Sequence, residues 1–260
     1  MLGGWRPSSA HAVAVSAVLG FLLAWEAICR LGMVSPVLLT PPTRVATAAF
    51  HLLLTPTIHR DLAFTVSVYL VSLAVATIVG SSTGFLMGYS ASVYQVINPF
   101  VVALNSMPKI ILMPLIVLWL GIGVSTNLCL GALMAGFPIA IATYTGVRSL
   151  EQDFVLLAKS FGAGTLTTLR SIVLPGVAPF VVSGLRVGLN YAMVGVLTAE
   201  FFASSQGIGY RMVLFISNFE VESFFGCMAL VVGFTLACTA AVARLEHALQ
   251  NWRPIALDMG

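Results

Sequence analysis

The residues able to do chemistry in this chain are few, and most stand in apolar surroundings. Lys109 lies inside an apolar run, next to Pro108 and five residues before Pro114. Ionisable side chains within a membrane-length run are expensive, and they are functional or paired. The two prolines interrupt the helical ladder and can free carbonyls toward a cavity. A cation there suits an anionic solute; a structural lysine that snorkels to the interface is the plainer alternative. Arg186 follows Pro175 by eleven residues, roughly 16 Å of helix, and Glu200 stands fourteen further on, roughly 21 Å. They share a face but cannot touch within one helix, so each needs a partner on another span or on a second copy. Glu26 and Arg30, at i and i+4, can pair with each other. Lys109, Pro108, Arg186 and Glu200 are therefore the candidates for a translocation pathway, with ion pairing the first reading for Arg186.

Other chemistry has no machinery here. There is no H-E-x-x-H, no G-x-S-x-G and no paired-acid motif, so a membrane hydrolase lacks its groups. The only lysines, Lys109 and Lys159, follow Pro and Ala, so there is no Gly-Lys pair for a P-loop. Any active transport must draw its energy from an ion gradient or from a partner. Cys29, Cys129, Cys227 and Cys238 form no C-x-x-C pair and read as small buried hydrophobes. His51 and His59 read as solvated loop histidines in preference to a metal pair.

The elements that must carry these residues are membrane helices. The chain is 59% hydrophobic and 8% charged, where a soluble domain carries about 25% charge. Its net charge of +3 and the lack of any basic run argue against a nucleic-acid partner. Six apolar runs, 10–31, 62–88, 99–121, 126–147, 175–203 and 223–243, are each long enough to cross a bilayer. Ten-residue alternation, the mark of a membrane barrel, is absent. The expectation is an all-α membrane protein with one transmembrane domain over 1–260. The first run is too long for a signal-peptide core and no A-x-A site follows it, so it reads as an uncleaved span. No internal repeat is visible, which removes the inverted-repeat pattern of many secondary carriers.

Between the runs, "TPPTRVATAAFHLLL" predicts a short interfacial helix entered through Pro41 and Pro42 and capped by Thr43. Residues 89–98 and 121–125 read as turns, and 204–222 as a polar loop with Arg211, Glu220 and Glu222. An even number of spans puts both ends on one side. With 148–174 inside, that side carries Arg6, Arg148, Lys159, Arg170, Arg244 and Arg253 against Arg30, Arg44, Arg60 and Arg211 on the other. The positive-inside rule then places both termini in the cytoplasm.

The stretch "EQDFVLLAKSFGAGTLTTLRSIVLP", 151–175, is wet and patterned. Leu150, Phe154, Leu157 and Phe161 fall on one helical stripe, with Glu151 and Asp153 in the first turn and Lys159 near the end. Gly162 and Gly164 supply a turn, Thr165 opens a second short helix, and Pro175 suits the first turn of the next span. Physics leaves two readings, a surface loop on the membrane or a docking element for a soluble partner.

The same stretch resembles the cytoplasmic signature E-A-A-x(3)-G-x(9)-I-x-L-P of inner-membrane permeases of binding-protein-dependent ABC importers, through Gly162, Ile172 and Leu174-Pro175. "GLRVGLNYAMVGVLTAE" with "GIGY", "MPKIILMPLIVLWLGIG", "SPVLLTPPTRV" and the glycines Gly80, Gly84 and Gly88 resemble the nitrate/sulfonate/taurine-type branch. Two positions depart from the pattern. The E-A-A triplet falls on Leu156-Leu157-Ala158, and Val68 stands where the branch commonly has an arginine.

The resemblance implies a type I ABC importer permease with six transmembrane helices and a cytoplasmic coupling helix, resident as a multi-pass protein in the bacterial inner membrane. It implies a non-enzyme that works as a pair of copies with two ATPase subunits and an external solute-binding protein. ATP would be bound by the ATPase partner, with no cofactor in this chain. Coupling would run through Glu151, Phe154, Leu157, Ala158, Phe161, Gly162, Ile172, Leu174 and Pro175, transmitted as rigid-body motion. The solute would be small and anionic; sulfonates, nitrate, aromatic acids and pyrimidine precursors are all compatible. The alternatives are an ion-coupled carrier or channel acting without an ATPase, and a membrane enzyme.

Overall fold

The computed structural model describes residues 7–35, 38–150 and 160–250, and side chains from 12 to 246 within them. No strand occurs among the described residues. The helices are α1 (Pro7–Arg30), α2 (Pro42–Leu53), α3 (Pro56–Tyr89), α4 (Ala91–Ser106), α5 (Met113–Leu120), α6 (Val124–Arg148), α7 (Thr165–Thr168), α8 (Leu174–Ala203), α9 (Ile208–Ser217) and α10 (Val221–Gln250). Five stretches are long and apolar enough to cross a membrane: Ala12–Arg30, Pro56–Tyr89, Val124–Arg148, Thr165–Ala203 and Val221–Glu246. A sixth is counted if α4 and the arm Lys109–Leu120 form one span, bent by 97°.

Four expectations change. The run 99–121 is not one straight span. Its helix starts at Ala91, where the Ser90 side chain accepts the Val93 N–H at 3.4 Å, and Pro99 lies inside it. The break falls at Met107-Pro108. A residue before proline is pushed to extended backbone, and Met107 has φ −83° and ψ 147°. A 3-10 turn, Lys109–Leu112, then leads into α5, which tolerates Pro114 in its first turn. The stretch 165–203 is continuous, where a helix ending before Pro175 was expected. A wide π-turn, Leu169–Val173, joins α7 to α8. Leu174 donates its N–H to Leu169 O, five residues back, and the next residue, Pro175, has no N–H to place. The polar loop 204–222 contains α9, whose ten residues hold a single charge, Arg211. Finally, Thr43 is not the cap of α2. Pro41 holds that position and makes no side-chain cap bond.

The contacts divide into two units. The first comprises residues up to His59 and Arg211–Val232. In it Glu26 accepts from Arg30 Nε at 2.6 Å, from the Thr43 hydroxyl at 2.8 Å and from the Thr43 N–H at 3.1 Å. A carboxylate from α1 thus satisfies an orphan N–H in the first turn of α2. Arg44 pairs with Glu222 at 3.0 Å, and His59 Nε2 bonds the Leu53 carbonyl.

The second unit comprises Arg60–Tyr210 and the residues from Gly233 on. Its centre is the antiparallel pair α6 and α8, where Gly184 faces Ile139 and Ala142 and Gly195 faces Leu130 and Gly131. Helix α3 lies along α6 in the parallel sense. A methyl group on Gly80 would come within 2.7 Å of the Gly136 carbonyl, and Gly84 and Gly88 are equally crowded by Ala140 and Val147. This stripe of small residues lets two backbones approach, which is how helices associate where lipid is as apolar as leucine.

Candidate functional site

At the break between α4 and α5, the Lys109 ammonium caps the preceding helix. It donates to the Asn105 carbonyl at 3.2 Å and to Asn105 Oδ1 at 3.4 Å, and it stands 4.9 Å from the centre of the Phe137 ring. A cation over a ring face is attracted by the ring's quadrupole. Among the described residues Lys109 forms no ion pair. Phe137 also lines a cavity of about 360 Å³ walled by α3, α4 and α6, with Val79, Thr83, Val101, Cys129 and Leu133 around it. The lining is almost wholly apolar, and Phe137 joins it to the lysine at the break. Pro108 makes this geometry by breaking the helix before Lys109.

The structure places the other two charged candidates apart from that cavity. Arg186 reaches Glu246 of α10 with Nη1 to Oε2 at 3.3 Å. Glu200 is fully buried near the end of α8. Its carboxylate accepts the Thr65 hydroxyl at 2.8 Å and the Gly209 N–H at 2.8 Å. Thr65 in turn accepts the Ile208 N–H at 2.8 Å, and Asp61 accepts the Gly207 N–H at 3.3 Å. Gly207 has φ +102°, and a methyl there would lie 2.6 Å from Glu200 Oε2. Short α5 packs at the same end, with Met113 and Ile116 clustered on Ala199 and Ala203. The Gly123 N–H closes the arrangement on the Ala203 carbonyl at 2.8 Å.

Of the expected coupling residues, Glu151, Phe154, Leu157 and Ala158 lie outside the described residues. Phe161 is 84% exposed, and Gly162 takes the left-handed conformation, φ +77°, that its glycine suits. Leu174 and Pro175 are exposed and Ile172 is half-buried. Leu150 packs over Gly176. Leu166, exposed on α7, joins Phe161 and Leu174 as an apolar side chain left in the open, although no motif singles it out.

Sequence reasoning missed Thr65, Asp61, Phe137 and Glu246. Thr65 and Asp61 could have been flagged as polar residues at the head of an apolar run. Phe137 carries no signal of its own. Glu246 lies beyond the last expected span.

Comparison with known proteins gives a consistent result. Residues 76–252 match the family model described as the binding-protein-dependent transport system inner membrane component. The chain is 28% identical over 213 residues to the taurine transport system permease protein TauC of Escherichia coli, covering 80% of this chain and 78% of that one. It is 27% identical to the putative aliphatic sulfonates transport permease protein SsuC of Bacillus subtilis, covering 88% and 83%. A solved structure of the MetNI methionine ABC transporter in an inward-facing conformation superimposes with a TM-score of 0.65 at 17% identity, over 73% of this chain and 94% of that one. The fold is therefore that of a type I ABC importer permease.

Proposed function

Because the chain belongs to the family of binding-protein-dependent transport system inner membrane components, we propose that it lines the path of a small anionic solute, with Lys109 as the cation that receives it. Members of this family are multi-pass permease subunits of ABC importers, not enzymes, and they work with a separate ATPase and a solute-binding protein. Nothing favours an ion-coupled carrier acting alone. The observation that carries the anionic reading is Lys109 itself. Its ammonium sits at a break in a membrane helix, it is held by a carbonyl, an amide and a ring face, and no carboxylate neutralises it among the described residues. A cation so placed attracts an anion without releasing a partner first. The sulfonate-carrying relatives point the same way.

In this reading two copies form the pathway, both termini face the cytoplasm, and the turn at Gly162 with Phe161, Leu166 and Leu174 faces the ATPase. ATP stays with that partner, and its closure drives the 160–174 end.

The test is uptake of radiolabelled taurine by liposomes holding permease, ATPase and binding protein. Uptake should need ATP and should fall on competition with alkyl sulfonates more than with alkyl ammonium ions. Lys109→Glu should reduce it at least tenfold, about the effect of reversing one charge next to a bound ion, and Lys109→Arg should retain most of it. Uptake without the ATPase, or full uptake by Lys109→Glu, would refute the proposal.

A further inference from the structure

The buried Glu200 is not among the residues that line the cavity beside Lys109, and it organises one end of α8. Its two donors are both neutral, the Thr65 hydroxyl and the Gly209 N–H. Among the described residues it forms no ion pair. A buried carboxylate held this way is weak evidence for stability, and its better use is to fix one arrangement over others.

The two ends of α8 are held by different kinds of contact. At the far end the fastening is directional. Glu200 bonds α3 and the 207–209 turn, the Ala203 carbonyl takes the Gly123 N–H from the head of α6, and α5 packs on Ala199 and Ala203. At the near end, among the described residues, Phe180 packs against Gly146 and Leu150 over Gly176, both contacts between apolar groups. Apolar contact is non-directional and lets packed helices tilt, whereas hydrogen bonds weaken steeply when bent. Between the ends runs one unbroken helical stretch, Thr165–Ala203, of 39 residues and roughly 55–60 Å.

We propose that Glu200 is the pivot of α8: the far end stays fixed on α3 and the 207–209 turn, and the long arm tilts about it when the 160–174 end is moved. Glu200 is then a positioning residue that acts through Thr65 and the turn. The Thr65 hydroxyl is the central atom, because it donates to Glu200 and accepts from Ile208 at once. Holding the far end also holds α5, so that tilt opens α8 relative to the broken span instead of dragging the two together. The driven end is taken from the reading of 160–174 as the ATPase-facing segment.

Spin-label distances test this on the complex with its ATPase subunits in lipid nanodiscs, labelled copies diluted with unlabelled ones. One pair, Leu70 with Phe202, reports the far end, and a second, Tyr89 with Leu174, reports the driven end; all four side chains are exposed. Trapping with ATP and vanadate should shift the 89–174 distance and leave 70–202 unchanged. In Thr65→Val the 70–202 distance should also shift, by at least about half of the change at the driven end, and Thr65→Ser should restore the parent pattern. Glu200→Gln, which keeps the side chain's shape, carries the same expectation if Thr65→Val does not assemble. Taurine taken up per ATP hydrolysed should fall about fivefold or more in the valine variant, the low end of an allosteric coupling. A parent whose 70–202 distance moves as much as 89–174 overturns the pivot, as does a Thr65→Val complex with the parent's pattern. A parent with no shift at 89–174 overturns the placement of the ATPase at 160–174 and the pivot with it.

Discussion

Gly207→Ala is the sharpest probe of the Glu200 cluster, because two independent costs meet at one Cα. The backbone there has φ +102°, outside the ordinary left-handed well of an L-residue. Forcing alanine into such a region costs about 1–3 kcal/mol. The added methyl would also lie 2.6 Å from Glu200 Oε2, so the carboxylate must move. That oxygen holds the Gly209 N–H at 2.8 Å, a bond to an ionisable group worth about 1.5–3 kcal/mol. Together the substitution should cost about 2.5–6 kcal/mol. For a protein of this size each kcal/mol corresponds to about 2–4 °C in melting temperature, so the fall should be at least about 5 °C. Gly20→Ala is the control, since a methyl there meets nothing within 4 Å and the helix is regular. The assay is thermal unfolding of purified protein in detergent, followed by tryptophan fluorescence. A fall below about 2 °C for Gly207→Ala, or an equal fall for Gly20→Ala, would refute the argument that the turn and the carboxylate are fitted to each other.

The remaining predictions concern single contacts. Phe161→Asp should leave the melting temperature of the permease within about 1 °C, because an exposed side chain seldom matters to stability. It should cut co-purification of the ATPase at least tenfold, as loss of an apolar anchor at an interface does, and full recovery of the complex would count against docking at Phe161. Arg186 and Glu246 should show a coupling energy of about 0.5–1 kcal/mol in a double-mutant cycle. The arginine side chain is 49% exposed and the glutamate 12%, so solvent screens the pair, and a coupling near zero would make it incidental.

How much was legible in the sequence differs by kind of residue. Length and hydropathy sufficed for five of the six spans, because the bilayer imposes one length on every crossing helix, but not for the broken one at 99–121. The i, i+4 pair Glu26 and Arg30 was legible for the same reason, since helix geometry alone brings them together. The further role of Glu26, holding Thr43 at the start of α2, was not, because it joins residues seventeen apart through a loop. Prolines misled in a consistent way. Pro99 and Pro175 stand at the starts of apolar runs, yet both lie in continuing helices, while Pro108, inside an apolar run, stands at the break itself. The difference lies in whether the freed carbonyls and the crowded ring are absorbed, as the π-turn does before Pro175, and that depends on packing the sequence does not display. Glu200 and Arg186 were visible as costly charges, but their partners Thr65, Gly209 and Glu246 come from other elements.

Val68 bears on how robust the Glu200 joint can be. It is buried, and it stands one turn along α3 from Thr65. Permeases of the branch this chain resembles commonly have arginine at that place. An arginine one turn from Thr65 could offer several donors and a full charge to a carboxylate nearby, so that losing one hydroxyl would leave Glu200 still held. Here valine offers neither, and the carboxylate depends on one hydroxyl and one amide. Removing the hydroxyl then strands an Ile208 N–H and half of the bonding of Glu200 in a buried setting, where each unmet group costs about 1–3 kcal/mol. Thr65→Val should therefore lower the melting temperature of this chain by several degrees more than the matching change lowers that of a relative carrying the arginine. Equal losses in the two proteins would mean that the arginine of the relatives serves some other contact, and that Thr65 and Gly209 are sufficient to hold the carboxylate in both.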